Sequence, residues 1–177
     1  MNRPLATSFG LLMALFFSWP VWANTLLQAG DTAPDFMLAD GEGKMRQTSE
    51  WRGRWLILYF YPRDDTPGCT AEAKAFNASL PELAALKAAV VGVSVDDIDS
   101  HRAFASRLGL NFTLLADTDG KVSRRYGALS DFAVMKFAKR HTFLIDPEGR
   151  IAKIYRDVEP AWHAGEILAD LKRAGGR

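Results

Sequence analysis

The segment WLILYFYPRDDTPGCTAEAKAF, residues 55–76, joins two elements of opposite character. Residues 55–61 are continuously apolar or aromatic, which is typical of a central strand buried on both faces of a sheet. Pro62 cannot donate a backbone hydrogen bond and ends that strand. From Cys69 to about Asn77 the alanine-rich stretch favours a helix. A buried strand that leads directly into a helix predicts a layered α/β fold.

Strand-like and helix-like segments alternate along the rest of the chain. Short strands near residues 36–38 and 45–47 predict a hairpin close to the N-terminus. Residues 79–82, Ser-Leu-Pro-Glu, have the pattern of a capping box and predict a second short helix through about Lys87. The other predicted elements are strands at 90–95, 112–115, 141–145 and 151–155, and helices at 100–108, at 122–126 and from Pro160 onward. This order predicts a three-layer α/β/α sandwich that resembles a thioredoxin-like core with an N-terminal β-hairpin.

Residues 1–23 have the layout of a secretory signal peptide. Arg3 supplies a short positive region, residues 9–17 are almost uninterrupted apolar sequence, and residues 21–23 suit a signal peptidase. We expect cleavage after Ala23, export to the periplasm and no stable membrane association afterwards. An uncleaved N-terminal anchor is the alternative interpretation. Residues 24–177 have the length of one domain with its own core.

Charge and residue content argue against several classes of function. Without Arg3, the 22 Lys and Arg fall to 21 and equal the 21 Asp and Glu, so no nucleic-acid or membrane-surface footprint is indicated. The chain has one cysteine, and an exported form would therefore hold no internal disulfide. Its three histidines lack metal-ligand spacing, and residues 117–120 lack the later ligands of a calcium loop, which predicts a turn. The aspartates near the predicted site are interpreted as solvated loop or cap residues: Asp64, Asp65, Asp96, Asp97 and Asp99.

Cys69 is the candidate nucleophile of the chain. A lone free cysteine is more often an inert core residue than a reactive one. Here Pro67 and Gly68 place Cys69 in the first turn of the predicted helix, where unpaired N–H groups and the positive end of the helix dipole favour the thiolate. Thr66 lies three residues upstream, close enough for its hydroxyl to face the sulfur across the turn.

The pattern Pro62-x-x-x-Thr66-x-x-Cys69 resembles the active-site signature of the peroxiredoxins. The longer string YPRDDTPGCTAE is similar to the bacterioferritin-comigratory-protein (PrxQ-like) branch. The likeness continues in DTAPDF, VVGVSVDD, LLADTDGKV and RHTFLIDPEGRI, which together extend over most of the chain after residue 30. The resemblance implies a thiol peroxidase with a thioredoxin-like fold, with no metal or organic cofactor, and monomeric rather than dimeric.

The resemblance assigns four site residues, position by position. Cys69 corresponds to the peroxidatic cysteine, and Thr66 to the threonine that hydrogen-bonds sulfur and peroxide. Pro62 matches the proline that shields the thiolate, and Arg140 matches the distant arginine of the site. Attack on an O–O bond moves negative charge from sulfur to the departing oxygen, so fixed donors at both positions stabilise the transition state. Taken singly, Thr66, Pro62 and Arg140 also fit a helix cap, a strand end and a surface position.

The sequence departs from this branch at one position. Many members carry a resolving cysteine five residues after the peroxidatic one, where this chain has Lys74. An intramolecular disulfide is impossible, so a sulfenic acid at Cys69 must be reduced by an external thiol, either a small thiol or a thioredoxin-like protein. Two rival functions stay open: a thiol–disulfide oxidoreductase, although no Cys-x-x-Cys pair is present, and a non-catalytic, holdase-like protein of the same fold. The peroxide, whether hydrogen peroxide or an organic hydroperoxide, is not specified by the motif.

Overall fold

The fold is built around a seven-stranded mixed β-sheet. The computed structural model describes residues 26–132, 135–156 and 158–175, so the predicted signal peptide and its cleavage site lie outside the described residues. The strands are β1 (Met37–Asp40), β2 (Met45–Gln47), β3 (Trp55–Phe60), β4 (Ala88–Ser94), β5 (Thr113–Ala116), β6 (Leu129–Phe132), β7 (Met135–Ala138), β8 (His141–Ile145) and β9 (Ile151–Arg156). The helices are α1 (Pro67–Ala85), α2 (Ile98–Leu108), α3 (Lys121–Arg125) and α4 (His163–Gly175), with a 3-10 turn at Thr48–Trp51. None of the described helices is long and apolar enough to cross a membrane.

The strand order of the main sheet is β2-β1-β5-β4-β3-β8-β9. At its centre β3 pairs in parallel with β4 and antiparallel with β8. The β1–β2 hairpin extends the sheet beyond β5. This arrangement confirms the predicted α/β sandwich and its N-terminal hairpin.

Side chains of β3 alternate between two hydrophobic cores, as the two-residue period of a strand requires. Ile57 and Tyr59 lie in the core that also contains residues of α1, α2 and α4. Leu58 and Phe60 lie in the core on the opposite face, with Val122 of α3. Burial on both faces explains why the predicted strand is continuously apolar.

Helix α1 continues without a break through residues 79–82, so the predicted division into two helices is wrong. Pro81 lies inside the helix, where it removes one backbone donor. Phe76 and Leu83, two turns apart, are both fully buried. The helix continues because one apolar face packs against the sheet on both sides of Pro81, which outweighs the lost hydrogen bond.

Two more elements differ from expectation. Helix α4 begins at His163, after a turn that contains Pro160, rather than at Pro160. The β6–β7 hairpin was not predicted, because residues 129–138 show no sustained alternation of polar and apolar side chains. This hairpin pairs only with itself, and most of its side chains are exposed or half-buried, so no strong apolar pattern is required.

A pair of glycine substitutions tests this packing. A Cβ on Gly92 in β4 would lie 2.7 Å from Leu114 Cδ2 and 2.8 Å from Tyr59 Cζ. We expect Gly92→Ala to lower the free energy of unfolding by about 1–3 kcal/mol through overpacking. Gly165 in α4 has open space around its ideal Cβ, so Gly165→Ala should raise stability by about 0.5–1 kcal/mol. Urea unfolding measures both, and similar changes in the two variants would contradict the packing.

Candidate active site

Cys69 is the third residue of α1. Thr66 is the N-cap residue, with an extended backbone (φ −78°, ψ 149°), and Pro67 is the first helical residue, where its missing N–H leaves no bond unmade. The thiol is only 1% exposed. The sulfur therefore lies beside the unpaired N–H groups of a long helix, as the sequence predicts.

Arg140, just ahead of β8, contacts Cys69 directly. Its Nη2 donates a hydrogen bond to Cys69 Sγ at 3.4 Å, although the two residues are 71 positions apart in the chain. Its Nη1 donates to a carboxylate oxygen of Glu72 in an ion pair. The structure thus brings together two of the four predicted site residues and adds a third group, an acid, to them.

Gly68 makes the approach of Arg140 possible. A Cβ on Gly68 would lie 3.2 Å from Arg140 Nη2 and 3.7 Å from Pro160 Cγ. Any side chain at this position would therefore press on the guanidinium that contacts the sulfur. Glycine next to the cysteine has a packing reason, the close passage of two chain segments.

Glu72 is a site residue to which the sequence analysis assigned no role, although it closes the string YPRDDTPGCTAE. Its side chain is fully buried, and one of its oxygens, Oε1, has no hydrogen-bond partner in the described structure. Burial raises the pKa of Glu72 to about 7, against the opposite effect of Arg140. The sequence does hold a signal: Cys69, Glu72, Ala73 and Phe76 have the spacing of one helix face, and an acid inside an apolar stripe indicates a buried partner.

Two neutral groups lie near Cys69: Tyr59 belongs to the same core, and His163 packs against Phe76 and Tyr155 of that core. Burial, and then the charges of Glu72 and Cys69, raise the pKa of the Tyr59 hydroxyl. Burial, followed by Arg140 and Lys153, lowers the pKa of His163 to about 4. The Nε2 of His163 lies 2.8 Å from Thr142 Oγ1. Both side chains are therefore uncharged at neutral pH.

Thr66 and Pro62 lie at the outer side of the site. The Thr66 hydroxyl donates to the backbone carbonyl of Arg63 at 3.2 Å, and it makes no side-chain cap hydrogen bond. A bond from Thr66 to sulfur or peroxide therefore stays a prediction. Pro62 forms one wall of an open cavity of about 590 Å³, and Met135 and Phe137 of the unpredicted β6–β7 hairpin form part of another.

Asp64 is buried, so its interpretation as a solvated residue is wrong. It is 5% exposed and accepts hydrogen bonds from the hydroxyls of Tyr61 and Ser100, each at 2.8 Å. Its Oδ2 also lies 2.8 Å from His101 Nδ1. Burial acts to raise the pKa of Asp64, but the contacts with His101, Ser100 and Tyr61 outweigh it and lower that pKa.

These contacts hold the loop between β3 and α1 in place. The backbone N–H of Asp64 donates to Asp96 at 2.9 Å, which adds an anchor on the segment after β4. Asp97 accepts a hydrogen bond from the N–H of Ser100 at 2.8 Å and caps α2, as predicted. The buried carboxylate of Asp64 therefore helps to fix the loop that carries Pro62 and Thr66, together with the ion pairs Arg63–Asp96 and Asp65–Arg107.

Lys74, where a resolving cysteine would stand, lies on the exposed side of α1. In the described ranges, no group of three or more His, Cys, Asp or Glu side chains is placed to hold a metal ion.

Comparisons with known proteins identify the family of this chain. The model of the AhpC/TSA family matches residues 29–154. Peroxiredoxin bcp of Coxiella burnetii is 38% identical over 151 residues, which cover 82% of this chain and 99% of that protein. The crystal structure of a cysteine-to-serine mutant of PrxQ from Xylella fastidiosa aligns with a TM-score of 0.80 at 32% identity, covering 85% of this chain and 99% of the other.

A third relative has been studied for its chemistry. The bacterioferritin comigratory protein of Xanthomonas campestris, whose structures concern alkyl peroxide reduction, aligns with a TM-score of 0.74 at 36% identity, covering 78% of this chain and 91% of that one. Family match, fold and the Cys69–Arg140 contact lead to one assignment. The chain belongs to the AhpC/TSA family and is a thiol peroxidase of the peroxiredoxin bcp/Q branch that lacks the resolving cysteine.

Proposed function

We propose that this protein reduces hydrogen peroxide or organic hydroperoxides in a one-cysteine cycle at Cys69. The contact between Arg140 Nη2 and Cys69 Sγ at 3.4 Å carries this proposal, because it places a partly buried cation on the only thiol of the chain. The thiolate attacks the terminal oxygen of the peroxide, forming an S–O bond and breaking the O–O bond. Sulfur becomes a sulfenic acid, and the other oxygen leaves as hydroxide or alkoxide and is protonated.

The donors around Cys69 suit this charge movement. Arg140 faces the thiolate before the reaction and remains beside the reacting atoms during it. In this proposal the Thr66 hydroxyl, which donates to the Arg63 carbonyl in the structure, turns toward a bound peroxide. The resemblance assigns Pro62 the shielding of the thiolate, and Pro62 lines the open cavity.

An external thiol completes the cycle in this proposal. One thiol condenses with the sulfenic acid and releases water, and a second displaces Cys69 from the mixed disulfide. Because Cys69 is 1% exposed and α1 is continuous around it, a small thiol reaches the sulfur more readily than a protein thiol does. We therefore propose a small-molecule reductant, with a thioredoxin-like protein as the comparison arm of any assay.

We also propose that residues 1–23 direct export to the periplasm and that the exported form acts as a monomer. The layout of the N-terminal sequence supports the first point, and the resemblance to the branch supports the second. The intact mass of the protein isolated from the periplasm should equal that of residues 24–177, a chain that begins at Asn24. A mass that retains residues 1–23 would contradict the cleavage.

Replacing the cysteine tests the reaction itself. Cys69→Ser removes the nucleophile, so the rate of hydroperoxide loss with excess dithiothreitol should fall to that of the reductant alone. Lys74→Ala changes an exposed side chain on the same helix and serves as the control, with activity expected to remain at the wild-type level. Equal activity of Cys69→Ser and wild type would refute a role for the thiol.

The absence of a second cysteine predicts a defined set of products. Without thiol, graded peroxide should add first one and then a second oxygen to the wild-type mass, as sulfenic and sulfinic acids. With a small thiol present, the mixed disulfide or the reduced protein should replace them. Cys69→Ser should gain neither oxygen on the same time scale, and an unmodified wild-type thiol in excess peroxide would favour the inert, holdase-like alternative.

The role of Gly68 provides a geometric test. Gly68→Ala would press on Arg140 Nη2, 3.2 Å from the new Cβ, and displace it from the sulfur. We expect peroxide reduction to slow by about tenfold, since small misplacements of a catalytic group are costly. Gly165→Ala is the matched control. Unchanged activity in a folded Gly68→Ala protein would show that the close approach is not needed.

A further inference from the structure

Arg140, a partly buried cation, contacts two buried acidic side chains in this site, Cys69 and Glu72. Arg140 donates to Cys69 Sγ at 3.4 Å and, through its other terminal nitrogen, to Glu72. Cys69 is 1% exposed and Glu72 is 0% exposed. If both acids were ionised, the three groups would carry a net negative charge inside the core, and an uncompensated buried charge is strongly unfavourable.

The surrounding groups do not compensate this charge. Tyr59 on β3 and His163 on α4 are neutral, as described above, and Lys153 on β9 is ion-paired with Asp170 at 2.7 Å. The charge of Asp64 also acts on Tyr59, but Asp64 contacts His101 and neither Cys69 nor Glu72 in the described structure. Within the described part of the chain, Arg140 is the only cation in hydrogen-bonding or ion-pairing distance of either acid.

We propose that Glu72 is protonated while Cys69 is a thiolate and becomes ionised when Cys69 is oxidised to the sulfenic acid, so that Arg140 faces one anion in each state. This inference rests on the peroxidase cycle proposed above. It gives Glu72 two parts in the reaction: it leaves Arg140 facing one anion in each state, and it supplies the proton that the leaving group takes up.

The oxidation of Cys69 by a hydroperoxide, ROOH, is balanced in protons and electrons. The thiolate forms an S–O bond with the terminal oxygen of ROOH, the O–O bond breaks, sulfur loses two electrons and RO⁻ departs. The sulfur no longer carries a charge, so Arg140 turns to Glu72, whose proton neutralises RO⁻ to give ROH. When thiols reduce the sulfenic acid and the thiolate returns, Glu72 takes up a proton again.

Two observations besides the shared cation support this exchange. Burial raises the pKa of Glu72 to about 7, which makes both protonation states accessible near neutral pH. The Oε1 of Glu72 has no hydrogen-bond partner in the described structure, so no donor on that oxygen favours the ionised form. A permanently ionised Glu72 would leave that oxygen charged and unsatisfied in the core.

Infrared difference spectroscopy tests the exchange directly. Wild-type protein and Glu72→Gln are each oxidised with one equivalent of tert-butyl hydroperoxide, and intact mass is recorded on the same samples. We expect the carbonyl band of a protonated carboxylic acid to be lost on oxidation in wild type, with no such loss in Glu72→Gln. Glu82→Gln, on the exposed side of the same helix, should behave as wild type.

The masses separate two kinds of failure. An oxidised Cys69 without loss of the band, or with the same loss in Glu72→Gln, would overturn the inference and leave the peroxidase cycle intact. A Cys69 that gains no oxygen would overturn both.

Kinetics with three reagents separates proton supply from simple positioning of Arg140. An alkoxide leaving group needs a proton, whereas the acetate released from peracetic acid and the iodide released from iodoacetamide do not. Glu72→Gln should therefore slow the reaction with tert-butyl hydroperoxide by at least about tenfold and change the other two by less than about threefold. A similar loss with all three reagents would assign Glu72 a structural role and overturn the proposal.

Discussion

The hydrogen bond from Arg140 to the sulfur of Cys69 is the interaction on which this site depends. A thiolate that is 1% exposed has lost most of its hydration, and a nearby cation is the main compensation available in a core. The sheet provides it. Because β8 runs antiparallel to β3, with Thr142 opposite Tyr59, the residue just before β8 lies at the end of β3 where α1 begins. Arg140 and Cys69 therefore meet at one edge of the sheet.

The other residues of the site hold Arg140 and Cys69 in contact. Gly68 leaves the space through which the guanidinium passes. Asp64 hydrogen-bonds to α2 and to the segment after β4. These bonds fix the loop after β3, which leads into the first turn of α1. Glu72 fixes the other side of the guanidinium. The catalytic geometry thus depends on two buried acidic side chains, Asp64 and Glu72, to which the sequence analysis assigned no part in the site.

The features that the sequence predicts correctly depend on residues that are close together in the chain, and the features that it misses depend on distant ones. The continuous apolar run of β3 and the Pro-Thr-Cys spacing are local patterns, and both led to correct elements. The burial of Glu72 and Asp64 depends on partners 68 and 37 residues away, so local polarity made Asp64 look solvated. The division of α1 into two helices was predicted because residues 79–82 match a capping box, whereas packing of Phe76 and Leu83 on the sheet decides the outcome. The β6–β7 hairpin was missed because it buries little of its surface.

The reactivity of Cys69 in an Arg140→Gln variant tests the central claim most directly. Second-order rates with hydrogen peroxide and with iodoacetamide would be measured at neutral pH, with Arg125→Gln as a control that changes an exposed arginine. If Arg140 sustains the buried thiolate, Arg140→Gln should slow peroxide reduction by about 100-fold or more and also slow alkylation, while Arg125→Gln matches wild type. Wild-type rates with both reagents in Arg140→Gln would contradict the account.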